Sequence, residues 1–277
     1  MKPVEPVDIV DLFPPLSRKL TAALRALPPA DWDRPTVCGP WSVKDVAAHL
    51  LGGSLSRLWK RAGTATPTEN HTLDYAGLLS YINRSNEEWV QAARRISPEL
   101  MIELLELTDR RLYAHFKALD GELPASISVA WAGDDLAPNW FDIAREYTEK
   151  WLHQQHIREA VGLPLLTGRK WLYPVLDTFL RGLPHAYRAL DAGDGTRISV
   201  RISGRAGGEW SLAREASHWR LYVGSDTQAA CRVQIDQDLA WRLFTKGVPR
   251  AEARCQVHIE GGTALAEGVL DMVSIIA

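Results

Sequence analysis

The chain has 277 residues, 46% hydrophobic and 24% charged, enough for one large domain or two moderate ones with real cores. Its formal net charge of -2, from 32 basic and 34 acidic residues, provides no global field for nucleic acid or an anionic membrane. Cys38, Cys231 and Cys255 are too far apart for a CxxC zinc knuckle, form no disulfide framework, and suit a reducing cytoplasm.

The first segment, MKPVEPVDIVDLF, is acidic and broken by proline. It lacks the basic start and apolar run of a signal peptide, and no apolar stretch approaches a membrane span. A cytoplasmic location is expected, with no membrane or nucleic-acid partner. Val7–Leu27 is predicted helical, interrupted early by Pro14-Pro15, with Leu16, Leu20, Ala23, Leu24 and Leu27 at helical spacing. Pro28-Pro29 stops it. Trp41–Arg61 is a second predicted helix. Ser42 is its N-cap and Asp45 follows three residues later, as in a capping box. Val43, Val46, Ala47, Leu50 and Leu51 form its apolar face, and His49 lies at the edge of that face. Gly52-Gly53 inside the helix costs about 1 kcal/mol per glycine relative to alanine, so close packing or ligand approach is the expected return.

A polar loop is expected over 63–72, then a helix over Asp74–Ile96. Ser97-Pro98 opens a fourth helix, to about Leu119. Residues 121–138 read as a loop. Pro138-Asn139 opens a fifth helix that Gly162 stops. Long amphipathic helices with short connections favour an antiparallel bundle. Trp171–Leu190 is a further helix, broken at Pro174 and Pro184. Beyond Asp191 the period becomes two: Ile198, Val200 and Ile202 alternate with polar residues. Strands are predicted over Thr196–Gly204, Glu209–Ala213, His218–Val223, Cys231–Ile235 and Gln256–Ile259. A helix follows Asp236, and the middle of Leu265–Ile276 reads as another. The expected architecture is a helical domain over 1–188 and an α+β domain over 189–277.

The chemistry centres on Arg145–Gly162, REYTEKWLHQQHIREAVG. Glu149 and His153 are four residues apart, so about 40° separates them around the helix. A carboxylate and an imidazole on one face grip a divalent cation if a third ligand arrives from elsewhere. His49 is the best third ligand, giving His49, Glu149 and His153 with one open position, a set that suits catalytic zinc. His156, three residues beyond His153, is a rival third ligand. Three ligands on one helix make a cramped site, so it reads better as an outer contact. By spacing alone, such a Glu/His pair is more often a surface pair, and a lone histidine more often a core residue. Cys38 sits in a turn before a helix N-terminus, where a thiolate is favoured, but it reads more readily as a small buried residue in a loop. No GxGxxG, Walker A, GxSxG or HExxH signature is present.

The segments Thr36-Val37-Cys38-Gly39-Pro40-Trp41-Ser42-Val43, Asp45-Val46-Ala47-Ala48-His49-Leu50 and Glu149-Lys150-Trp151-Leu152-His153, continuing through Ile157-Arg158-Glu159-Ala160-Val161-Gly162, resemble the two signatures of the mycothiol-dependent maleylpyruvate isomerase family, within the DinB-like helical superfamily. The part after about residue 190 is similar in layout to a sterol-carrier-like domain. The resemblance implies a four-helix bundle whose Zn2+ is held by His49, Glu149 and His153. It implies mycothiol or a similar low-molecular-weight thiol as co-substrate, and a small electrophile as substrate. In the family's isomerase reaction the thiolate adds to the double bond of maleylpyruvate, the new single bond rotates, and the thiol leaves. Relatives use the same chemistry for S-transfer. Trp41 and His156 are then candidate thiol contacts. Arg242 and Lys246 are candidates for the substrate carboxylates, Lys246 standing where relatives have an arginine and His156 where they often have an aspartate. Lysine offers no planar two-point grip. A monomer or homodimer is expected. The alternative reading is a non-catalytic small-molecule binder or stress-response protein on the same scaffold, and a weaker one is lipid binding through the C-terminal part.

Overall fold

The structure is a computed structural model that describes residues 1–61, 75–126, 129–133 and 137–275. The loop expected over 63–72, with His71, lies outside the described residues. Two units pack within themselves: Met1–Asp8, Asp120–Thr148 and Leu166–Ile276 form one, and Ile9–Leu119 and Glu149–Leu165 the other. This division differs from the contiguous 1–188 and 189–277 that the change in sequence texture suggests. All the strands but the first, at Lys2–Pro3, lie beyond the change of texture, but helices before that point pack with them.

The helical unit contains α1 (Phe13–Arg25), α2 (Val43–Arg61), α3 (Tyr75–Ala93), α4 (Pro98–Lys117) and the second half of α5 (Asn139–Ala160). Pro14 and Pro15 do not interrupt α1. They sit in its first turn, where backbone N–H groups have no intrahelical acceptor to lose. The helix α4 begins as expected, with Ser97 Oγ accepting from Leu100 N. It packs on both α1 and α2, and α3 packs on α2. The shared core holds Leu24, Val43, Val46, Ala47, Leu51, Met101, Leu105 and Ile157, all buried. Burying each large aliphatic side chain contributes about 1.5–3 kcal/mol.

The other unit carries the first half of α5, then α6 (Arg169–Leu180) and α7 (Leu183–Ala186), and a six-stranded sheet with three helices. The strands are β1 (Lys2–Pro3), β2 (Arg197–Ser203), β3 (Gly208–Glu215), β4 (His218–Val223), β5 (Cys231–Asp236) and β6 (His258–Gly261). The helices are α8 (Gln237–Phe244), α9 (Arg250–Gln256) and α10 (Thr263–Asp271). Sheet order is β1-β4-β3-β2-β5-β6, antiparallel except for the β2–β5 pair. Ile198, Val200 and Ile202 face the core as the period of two predicts. Trp210 is fully buried, and its indole N–H donates to Asp177 Oδ1 at 2.8 Å, so this polar atom is not stranded.

Three expectations in this unit are corrected. Pro174 lies inside α6, and the break comes later, at Arg181-Gly182. Gly182 leaves room for the Trp131 ring, which a Cβ would meet at 3.2 Å. Pro184 opens α7 rather than ending a helix. Residue 256 closes α9, a helix too short to register as a periodic pattern, and the last strand starts at His258. Among the described residues no helix is long and apolar enough to cross a membrane.

Candidate metal centre

The start of α2 is built by its own first residues. Ser42 N donates to Asp45 Oδ2 at 3.1 Å, and Asp45 N donates to Ser42 Oγ at 3.3 Å, a reciprocal capping box. Arg94 adds two N–H bonds to the same carboxylate, at 2.9 and 3.0 Å. With that end fixed, Val43, Val46, Ala47, Leu50 and Leu51 all turn inward. His49 is left half-buried at the rim of the apolar stripe.

The second half of α5 is anchored by a half-buried polar cluster. Lys150 Nζ donates to Ser54 Oγ at 2.8 Å and to Asp109 Oδ1 at 2.9 Å, while Ser17 Oγ donates to Asp109 Oδ2 at 2.6 Å. This ties α5 to α1, α2 and α4. Trp151, Leu152 and Ile157 bury on the same segment. The helix therefore has a fixed rotation, which leaves Glu149, His153 and His156 half-buried.

These two constraints bring His49, Glu149 and His153 together. One ligand atom from each lies within 4.8 Å of the others. The rings of His49 and His153 have centroids 4.6 Å apart at 74°, and Glu149 Oε2 is 3.5 Å from His153 Nε2. Burial pushes the His49 imidazolium down to about 3, helped by His153 beside it, so the ring is neutral and its lone pair available. For His153, burial also opposes the charge, but hydrogen bonds to Cys38 and Glu149 outweigh it and raise the pKa to about 9. A proton is thus held where a divalent cation fits: one neutral imidazole, a second imidazole and a carboxylate are the donors that zinc accepts.

Trp41 and His156 border this cluster. The Trp41 ring is 5.1 Å from that of His49, and its Nε1 donates to Glu87 Oε2 at 2.9 Å. His156 lies 5.3 Å from His153, ring centre to ring centre. Arg242 and Lys246 belong to the other unit. The Arg242 guanidinium stacks 4.2 Å from the centre of the Trp241 ring, and Lys246 takes a left-handed φ of 59° just past α8.

Cys38 is the residue the sequence reading undervalued. It is half-buried rather than a passive loop filler, with Sγ 3.0 Å from His156 Nδ1 and 3.8 Å from His153 Nδ1. Its loop is tightly built. Thr36 Oγ1 accepts from Cys38 N at 3.1 Å and donates to Trp41 O at 2.7 Å. Gly39 takes a φ of +63°, which a side chain would strain. The one sequence hint was its place three residues ahead of Trp41, on the approach to the His49 helix.

The model of the mycothiol maleylpyruvate isomerase N-terminal domain matches residues 13–158, more than half of the chain. Among solved structures, the mycothiol-dependent maleylpyruvate isomerase and a histidine-to-alanine mutant of it each match with a TM-score of 0.53 and 13% identity, covering 88% of this chain and 91% of theirs. At that identity the likeness concerns the fold. A ubiquinone synthesis protein, UbiJ-SCP2, matches 34% of this chain with a TM-score of 0.26, too low to carry an argument. No curated protein matches.

Proposed function

Because the chain belongs to the mycothiol maleylpyruvate isomerase family through residues 13–158, we propose that it is a metal- and thiol-dependent enzyme with isomerase-like chemistry. One observation carries the reading: the ligand atoms of His49, Glu149 and His153 lie within 4.8 Å of one another. Two nitrogens and an oxygen would hold zinc or another divalent ion and leave one position open. Such an ion, when bound, favours the deprotonated form of a thiol at that position. His49 supplies a ring that burial already keeps neutral. Glu149 supplies the negative charge that offsets the cation. His153 gives up its proton on metal binding, so its raised pKa makes uptake weaken as pH falls.

The thiol is proposed to be mycothiol or a similar small thiol, bordered by Trp41 and His156. The proposed reaction adds the thiol to a carbon–carbon double bond, allows rotation, and eliminates the thiol. S-transfer to another electrophile is the alternative outcome of the same chemistry. Arg242 and Lys246 are proposed to meet substrate carboxylates, Arg242 through a two-point grip and Lys246 as a point charge. A cytoplasmic location belongs to the same proposal.

Metal analysis is the first test. Purified protein is expected to carry about one divalent ion in this set, and His49→Ala to lower that content about tenfold or more. Protein without zinc or a similar ion, in which His49→Ala changes neither metal content nor melting temperature, overturns the reading. Maleylpyruvate is then assayed with and without mycothiol. Thiol-dependent loss of substrate is expected. Its absence rejects isomerisation, and a panel of electrophiles then decides transfer.

A further inference from the structure

The ring of His153 has a second nitrogen, and that nitrogen faces a second group of ligands. Its Nε2 is 3.5 Å from Glu149 Oε2, while its Nδ1 is 3.8 Å from Cys38 Sγ. Cys38 Sγ is also 3.0 Å from His156 Nδ1, and one ligand atom from each of Cys38, His153 and His156 lies within 4.8 Å of the others. With metal–sulfur bonds of about 2.3 Å and metal–nitrogen bonds of about 2.0–2.1 Å, ligand atoms in a tetrahedral complex stand roughly 3.3–3.6 Å apart. The two sulfur–nitrogen separations bracket that range. Shifts of a few tenths of an ångström bring both into it.

We infer that Cys38, His156 and Nδ1 of His153 form a second cation site, distinct in its donors from His49, Glu149 and His153. A thiolate with two imidazoles selects soft or borderline ions such as zinc, cadmium and copper(I), and disfavours magnesium, calcium and manganese. The ligands are prepared for it. His153 and His156 are three residues apart on one anchored helix, so they share a face. The loop hydrogen bonds through Thr36 and the turn at Gly39 fix the direction from which the sulfur arrives. Binding an ion displaces the Cys38 thiol proton to solvent. The proton on Nδ1 of His153 is released to solvent as well, and the proton on Nε2 stays, its N–H facing Glu149 Oε2 at 3.5 Å.

That last step links the two sites. A neutral imidazole offers one lone pair, so an ion on Nδ1 withdraws His153 from the set that contains His49 and Glu149. The second site is therefore a place where a soft metal blocks the first. It does not depend on the proposed reaction, only on these three side chains.

The test uses the full-length chain, stripped of metal and titrated with cobalt(II), read in the near ultraviolet for sulfur-to-cobalt charge transfer. Glu149→Gln, which removes a donor of the first set and keeps all three donors of the second, is expected to keep the band. Cys38→Ser is expected to lose it. His156→Ala is expected to weaken cobalt binding at the band about tenfold or more, a check that holds if Cys38→Ser folds poorly. No band in wild type and Glu149→Gln, or a band unchanged in Cys38→Ser, overturns the inference. The first site fails by a different signature: Cys38→Ser protein that binds no ion, while Glu149→Gln keeps the band, removes the first set and supports the second.

Discussion

Asp45 is half of a helix cap and half of an ion pair, and its titration reports on both. Burial alone would raise its pKa, but the Arg94 hydrogen bonds and the Ser42 backbone N–H outweigh burial and hold the carboxyl below its ordinary range. A carboxyl lowered on folding stabilises the protein fully above its unfolded pKa, about 3.9, and loses that contribution as pH falls through the folded value. Arg94 is 45% exposed, so solvent screens part of its share. Asp45→Asn is expected to cost about 1–3 kcal/mol at neutral pH, from one cap and one charged hydrogen-bond pair. Urea unfolding at pH 7 and again below pH 4 checks this: the gap between variant and wild type should narrow in acid. A gap that stays constant would show that the charge plays no part.

The helix α2 shows how one residue type can be right for an unexpected reason. Gly52 looks like a weak point in a helix. Its backbone is instead the seat of the Trp89 indole, whose Cδ1 lies 2.5 Å from where a Cβ would be, while Trp89 Nε1 donates to Ala48 O at 2.7 Å. Close packing, not ligand approach, accounts for that glycine. Gly52→Ala has better helix propensity yet is expected to lower stability by about 1–3 kcal/mol, because the overpacked indole must move and strain its hydrogen bond. Thermal melts measure the shift, and a higher Tm than wild type would contradict this account. The capping pair and the apolar stripe of α2 were legible in sequence because helix geometry converts spacing into direction. So was the pairing of Glu149 with His153. Cys38 was not, because 118 residues separate it from His156 and only the folded loop brings them to 3.0 Å. The α9 helix and the two-residue β1 were missed because neither is long enough to show a period.

At the scale of the whole chain, the sequence boundary and the packed units follow different rules. Texture changes where β2 begins, whereas packing joins Met1–Asp8, Asp120–Thr148 and α6 to the sheet. The division at residue 188 stands as a proposal about where the part of the sequence with the candidate metal ligands ends, not about independent folding. The helix α5 belongs to both units: its residues through Thr148 go with one and those from Glu149 with the other. Phe141, Ile143 and Tyr147 are buried before that point, and Trp151, Leu152 and Ile157 after it. Each unit buries its own half of this helix. Local openings elsewhere release amide protons cheaply, but the middle of α5 should release them only in the rarest excursions. Native-state hydrogen–deuterium exchange is expected to find its slowest amides between residues 146 and 154, and faster exchange there than in the strands would contradict this. Glu149 and His153 lie within that stretch, so on this expectation an ion bound there would meet donors whose positions were decided before it arrived.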